Sequence, residues 1–271
     1  MENKQNLHTH STYCDGRDTP EEMVLAAMEK GFSSIGFSGH CHMPYSLVNG
    51  GKPDVTDAYR QEISRLKQVY ADQIDIFCGL EVDSLADVDM EGYDYLLGAV
   101  HYFKFGEEIV GFDRSKEVVA QVLDKYFDGS GMKFAQRFYS DLAQLPKFGN
   151  FDILAHFDIL SKNVESLHMF DEEDPKYLAL GYEAIDALAG KIPFFEVNTG
   201  GMSRGFRTRP YPIPAFVRYL REKGFKATIS SDCHDARYLD HGFEDARELL
   251  RSCGFQERYV LTKTGFTAVP L

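Results

Sequence analysis

Six of the nine histidines in this sequence stand at the ends of short apolar runs, together with three carboxylates. They occur as His8-Thr9-His10, His40, Glu81, His101, His156 and Asp232-Cys233-His234, with Asp15 five residues beyond His10. Neutral imidazoles and ionised carboxylates are the ligand set of divalent transition metals. His8 and His10, like Asp232 and His234, are two positions apart, so on an extended strand both members of each pair face the same side and can chelate together. A lone strand histidine is usually satisfied by a hydrogen bond in the core. Glu81 and Asp232, however, adjoin apolar runs in which an unpaired carboxylate would be costly to bury, and a cation relieves that cost. Three carboxylates against three divalent cations leave a site of about +3, a charge suited to an anion such as a phosphomonoester dianion, with clustered metals activating water for its hydrolysis.

Elements that bring these residues together can be read from the alternation of the chain. Strand-like runs at 6–11, 34–38, 74–82, 95–102, 151–157, 194–198 and 227–231 are separated by amphipathic stretches at 20–30, 56–70, 116–126, 134–145, 175–189, 214–223 and 243–252. The first helix carries Thr19 as its expected N-cap and Gly31 as its stop. Such alternation predicts parallel strands with right-handed crossovers, an α/β fold closed into a βα barrel that takes up residues 1–271 as one domain. The active face of a barrel lies at the C-terminal strand ends, where every one of the candidate ligands falls. Two Gly/Pro-rich stretches that follow strands, 43–55 and 200–214, are expected to be substrate loops.

Composition narrows the partners. With 29 Lys and Arg against 42 Asp and Glu, a net charge of −13, and no basic run, the chain is unsuited to nucleic-acid polymers. A small-molecule phosphate ester is the expected partner. No apolar stretch approaches the length of a membrane span and the first residues lack the apolar core of a signal peptide, so a cytoplasmic location away from membranes is expected. Cys14, Cys41, Cys78, Cys233 and Cys253 are scattered and form no CxxC, as for free thiols. Cys233, between Asp232 and His234, should point to the opposite side of the strand.

The ordered segments HTHSTYCDG, FSGH, GLEVD, GAVHY, DILAHFD, FEVNTGG and SSDCH resemble the motifs of the PHP (polymerase and histidinol phosphatase) superfamily, most closely its histidinol-phosphate phosphatases. The resemblance implies a distorted (βα)7 TIM-like barrel of the PHP type with three divalent metal ions, Zn, Mn or Fe. It implies that His8, His10, Glu81 and Asp232 hold the first metal, that Glu81, His101 and His156 hold the second with Glu81 bridging, and that Asp15, His40 and His234 hold the third. Some members carry a histidine where this chain has Asp15, which leaves the choice of metal open. The reaction implied is hydrolysis of L-histidinol phosphate to L-histidinol and phosphate in histidine biosynthesis, by attack of a hydroxide bridging two metals. His42, Asp232 or a neighbouring metal-bound water would protonate the leaving alkoxide. For substrate contacts, Arg204 and Arg207 are the leading phosphate candidates in the loop that also holds Arg209, and His42 is a further phosphate donor. Asp158 and Asn198 are candidates for the amino group of histidinol. Alternatives are a PHP phosphoesterase for another small phosphate ester or nucleotide, and a non-catalytic metal-binding PHP module.

Overall fold

The computed structural model describes residues 3–43 and 56–271. All of the expected substrate loop at 43–55 except Met43 lies outside the described residues. The strands, in chain order, are β1 (Gln5–Asn6), β2 (Ser34–Phe37), β3 (Asp75–Asp83), β4 (Tyr95–Ala99), β5 (Tyr102–Phe105), β6 (Glu108–Gly111), β7 (Ile153–Leu154), β8 (Phe194–Asn198), β9 (Lys226–Ser230), β10 (Glu257–Thr262) and β11 (Gly265–Pro270). The helices are α1 (Pro20–Glu29), α2 (Thr56–Val69), α3 (Lys116–Phe127), α4 (Gly131–Leu142), α5 (Val164–Leu167), α6 (Pro175–Leu188), α7 (Gly200–Ser203), α8 (Pro214–Glu222) and α9 (Phe243–Ser252).

Seven strands pair in the order β1-β2-β3-β4-β7-β8-β9, all parallel. Backbone bonds from His10 N to Cys233 O (2.8 Å) and from Cys233 N to His8 O (3.0 Å) bring the two edges together. The result is a nearly closed seven-stranded parallel barrel ringed by helices, as the strand-helix alternation predicts. Two antiparallel hairpins, β5–β6 and β10–β11, were not expected. The first splits the run read as one strand over 95–102. The second lies against the barrel through Phe266, stacked 4.0 Å from Phe194.

Local chemistry sets these elements. Thr19 and Glu22 form a capping box at the start of α1, with Pro20 in the first turn, and Met23, Val24 and Ala27 give the helix its buried face. Helix α4 begins at Gly131 under the Ser130 hydroxyl rather than at Phe134, because the cap and not the apolar pattern fixes its start. Inside the barrel, Tyr95 crosses towards β1 and donates to Leu7 O at 2.6 Å. Gly79 leaves room for that ring, since a Cβ there would stand 2.4 Å from it. Outside, Tyr139, Phe157, Tyr177 and Phe216 pack as buried rings from α4, the segment after β7, α6 and α8. Each such ring contributes roughly 1.5–3 kcal/mol. Phe157 thereby anchors the residue beside His156. No helix among the described residues is long and apolar enough to cross a membrane.

Candidate active site

Glu81 occupies the centre of the histidine cluster. Its Oε2 lies 2.8 Å from His40 Nδ1, 3.3 Å from His8 Nε2 and 3.6 Å from His10 Nε2. Its Oε1 lies 2.9 Å from His156 Nε2 and 3.3 Å from His101 Nε2. Asp232 Oδ1 faces His10 Nε2 at 3.2 Å and His8 Nε2 at 3.6 Å. Asp15 stands 3.4 Å from His234 Nε2, 3.5 Å from His10 Nδ1 and 3.6 Å from His40 Nε2. All nine residues named from the sequence therefore converge. Donor atoms of His10, Asp15, His40 and His234, of His8, Glu81 and His156, and of His8, His10 and Asp232 form three overlapping groups, each within 4.8 Å.

Strand ends position most of this set. His40 and Glu81 are bridge partners just beyond β2 and within β3. Asp232 and His234 are placed differently from expectation. Strand β9 ends at Ser230, and Asp232 adopts φ 46°, so a turn rather than strand alternation aims its carboxylate inward. Aspartate tolerates this left-handed region better than most residues. Gly200 packs on that turn, where a Cβ would come within 2.8 Å of Asp232 Cβ. Cys233 is directed away, its Sγ bonded to Asp235 O at 2.9 Å. Cys14 is nearer to the cluster than the sequence suggests, with Sγ 3.4 Å from His10 Nδ1, and burial raises its thiol pKa.

A second layer fixes the rings. Glu196 lies 3.0 Å from His8 Nδ1 and accepts from His156 N at 2.8 Å. Asp83 accepts from His101 N at 2.7 Å, and its carboxylate lies 3.4 Å from His101 Nδ1. Its position two past Glu81 in GLEVD was the available signal for a same-face role. Asn198 donates to Glu196 at 2.8 Å and accepts from Gly200 N at 2.8 Å, so it orients the cluster and does not line the cavity.

Electrostatics favour a cationic guest. Burial opposes the charged form of His8, yet Glu196, Glu81 and Asp232 hold its pKa well above the usual imidazole range. His40 is raised against burial by Glu81 and Asp15, and His101 to about 10 by Glu81 and Asp83. Burial and the neighbouring His234 and His40 depress His10 to about 3. Glu81 is held well below the carboxylate range, against its burial, by His8, His40 and His101. His8 Nε2, His10 Nε2, Asp15 Oδ1 and Glu81 Oε2 are buried and make no hydrogen bond. Orphaned atoms of ligand type, aimed at one another, fit divalent cations.

A cavity of about 220 Å³ opens onto the cluster, lined beyond it by Asp113, Arg114, Ser115, Lys162, Arg204 and Phe206. Arg204 reaches Asp232 Oδ2 at 2.8 Å, and Lys162 reaches Asp113 Oδ1 at 2.7 Å. A roomier cavity of about 470 Å³ at the other end of β3 holds Lys67, Asp75, Asp94 and Lys263, with its lysines paired to its carboxylates. It contains none of the cluster.

A sequence model described as the PHP domain matches residues 6–200. The chain belongs to the PHP domain family. Among proteins similar to this PHP chain are a probable histidinol-phosphatase of Deinococcus radiodurans, 28% identical over 91% of this chain and 92% of that one. A histidinol-phosphatase of Bacillus subtilis is 21% identical over 89% and 97% of the two chains. The solved histidinol phosphate phosphatase of Lactococcus lactis, complexed with Zn, L-histidinol and phosphate, shares 20% identity and superposes with a TM-score of 0.75 over 98% of this chain and 99% of its own. That likeness establishes the PHP barrel.

Within the PHP site, the substrate contacts expected from sequence separate. Arg204 lines the cavity. Arg207 does not: its guanidinium is buried, pairs with Glu172 at 2.9 Å, donates to Ser161 O at 3.0 Å and lies over the Tyr211 ring. A phosphate cannot reach a side chain so enclosed. Arg209 pairs with Glu172 at 2.5 Å. Asp158 is fully buried, accepts from Ile213 N at 2.9 Å, and is raised to about 6, chiefly by burial; it is not among the cavity-lining residues. His42 follows His40 by two residues and is also absent from that lining. Asp232 is held well below the carboxylate range, against its burial, by Arg204 and His8, so it carries no proton to give a leaving group at neutral pH. Lys162 and Asp113 went unnoticed because they come from loops, where no periodicity announces direction.

Proposed function

We propose that the chain is a metal-dependent phosphomonoesterase that hydrolyses L-histidinol phosphate to L-histidinol and phosphate, serving histidine biosynthesis in the cytoplasm as a single catalytic domain. The observation that carries this reading is the buried cluster around Glu81, with four orphaned ligand atoms, opening onto a small cavity that presents Lys162 and Arg204. The histidinol-phosphatase names of full-length relatives favour the substrate.

Three divalent ions, Zn, Mn or Fe, are the proposed cofactors. His8, His10, Glu81 and Asp232 would hold one; Glu81, His101 and His156 a second; Asp15, His40 and His234 a third. Bound there, the cations supply Lewis acidity towards phosphoryl oxygens and a water-derived nucleophile at neutral pH. Asp15, Glu81, Asp113 and Asp232 share the described lining with Arg114, Lys162 and Arg204, so cations held by the cluster would offset the negative charge that a phosphate dianion meets there.

The chain's own groups then orient the ester. Arg204 and Lys162 line the cavity and would bind phosphoryl oxygens, the planar guanidinium giving direction. Glu81 and Asp232 remain ionised and accept rather than donate protons. Of the two side-chain candidates for the proton that the leaving alkoxide takes, Asp232 carries none and His42 is absent from the described cavity lining, which leaves a neighbouring water as the donor. The −13 net charge supports a small ester over a nucleic acid.

The test is phosphate release from L-histidinol phosphate by protein loaded with Zn or Mn, with metal content measured on the same sample. Release with about three ions per chain supports the reading. Three ions with release only from other phosphate esters would assign a different substrate, and three ions with no release from any would leave a binding module.

A further inference from the structure

Asp158 and Asn198 are engaged inside the protein, so recognition of a substrate amine has to come from elsewhere. Among the described residues four carboxylates line the cavity, and three of them, Asp15, Glu81 and Asp232, belong to the candidate ligand cluster. The fourth is Asp113. It follows the β5–β6 hairpin and is held in place by its neighbour Phe112, which is buried, stacks 4.5 Å from Phe103, and donates its backbone N–H to His101 O at 3.0 Å. Its carboxylate takes the Lys162 ammonium at 2.7 Å, with side chains only 11% and 8% exposed. Lys162 comes from the turn beyond β7, and its ammonium also lies 4.5 Å from the Phe206 ring centre.

Among the described residues, two of the three Lys and Arg side chains in the lining are thus matched by carboxylates before any ligand enters: Arg204 by Asp232, and Lys162 by Asp113. A phosphate dianion that draws Lys162 towards itself strips Asp113 of its ion-pair partner and leaves it only the weaker influence of His101 and Arg204. A largely buried carboxylate left in that state is unfavourable unless the ligand brings its own cation. A 2-aminoalkyl phosphate does so, because its ammonium is joined to the ester oxygen through two carbons. The Asp113–Lys162 pair is a preformed dipole, and such a zwitterion is its complement.

Resting on the phosphomonoesterase reading above, we propose that Asp113 is the specificity-determining residue that binds the ammonium group of a 2-aminoalkyl phosphomonoester while Lys162 turns to its phosphoryl group. Esters with a neutral tail are then disfavoured by the carboxylate they leave unpaired. Asp113 acts through the bound substrate's amine and has no part in holding metal.

Metal-loaded protein tests this with L-histidinol phosphate and its des-amino analogue, 3-(imidazol-4-yl)propyl phosphate. In the unaltered protein kcat/KM should favour the amine by about tenfold or more, as for a site built to bond a polar group. In Asp113→Asn that ratio should fall to within about threefold of unity, while Asp113→Glu, which keeps the charge, restores part of it. Calorimetry should show L-histidinol bound about tenfold more weakly by Asp113→Asn at equal metal content. A ratio unchanged by the substitution, whether both esters slow together or neither does, overturns the inference and leaves phosphatase activity standing. Release from neither ester by the unaltered, metal-replete protein overturns the phosphomonoesterase reading and this inference with it.

Discussion

Glu196 stands behind His8: its carboxylate lies 3.0 Å from Nδ1, while Nε2 of the same ring faces Glu81 at 3.3 Å and Asp232 at 3.6 Å. A carboxylate at Nδ1 fixes the tautomer that leaves Nε2 free to ligate and raises its basicity. Glu196→Gln keeps the shape and removes the charge. Metal affinity should fall about 10- to 100-fold with all nine ligand candidates intact, as read by chelator competition. Unchanged affinity would make Glu196 a packing residue.

Glu81→Gln tests the centre of the cluster. The carboxylate approaches five imidazoles, so its loss removes the charge on which two proposed metals depend. Activity should drop by about three orders of magnitude or more, and metal content should fall in the same preparation. Retention of both would show that Glu81 does not bridge.

Arg204 and Arg207 should part company on substitution. Arg204→Ala removes a guanidinium from the cavity and should raise KM about tenfold or more. Arg207→Ala removes the buried partner of Glu172, leaving that carboxylate only the exposed Arg209 and leaving the Ser161 carbonyl without its guanidinium donor. The expected effect is about 3 kcal/mol of lost stability, seen as a lowered denaturant midpoint. A rise in KM without loss of stability would return Arg207 to the substrate.

Metal loading should release protons. His8 and His40 are held above the usual imidazole range and His101 at about 10, so at pH 7 they carry protons in the metal-free chain. Cations compete for the same nitrogens. Apparent affinity should rise with pH, by about tenfold per unit for each proton displaced, and a weakly buffered indicator should record acidification on loading. These raised groups also stabilise the metal-free fold: their contribution is full below about pH 6.5 and is lost as pH climbs through the raised values. Melting of metal-free protein at pH 7 and pH 10 checks the sign.

The nine-residue cluster was legible because strand ends in a parallel barrel all point to one face, so residue type and position sufficed to bring His8, His40, Glu81, His101 and His156 together. Asp232 reached the same place through a left-handed turn that no alternation encodes. The hairpins at Tyr102–Phe105 with Glu108–Gly111 and at the C-terminus escaped because short antiparallel pairs on a barrel rim have weak patterns of their own. Arg207 was misread because spacing along a loop says nothing of direction. Gly205 at φ 73° folds the chain back after Arg204, and Arg207 N then bonds Gly201 O, which buries its side chain.

The hydrogen bonds that join the barrel's edges, between residues 8–10 and Cys233, run through the ligand-bearing segments themselves. His8 and His10 therefore meet Asp232 and His234, more than two hundred residues later in the chain, only across this closure. A chain still short of residue 234 on the ribosome lacks two of the nine cluster residues and the bonds that close the barrel, so the site can assemble only after that segment has emerged.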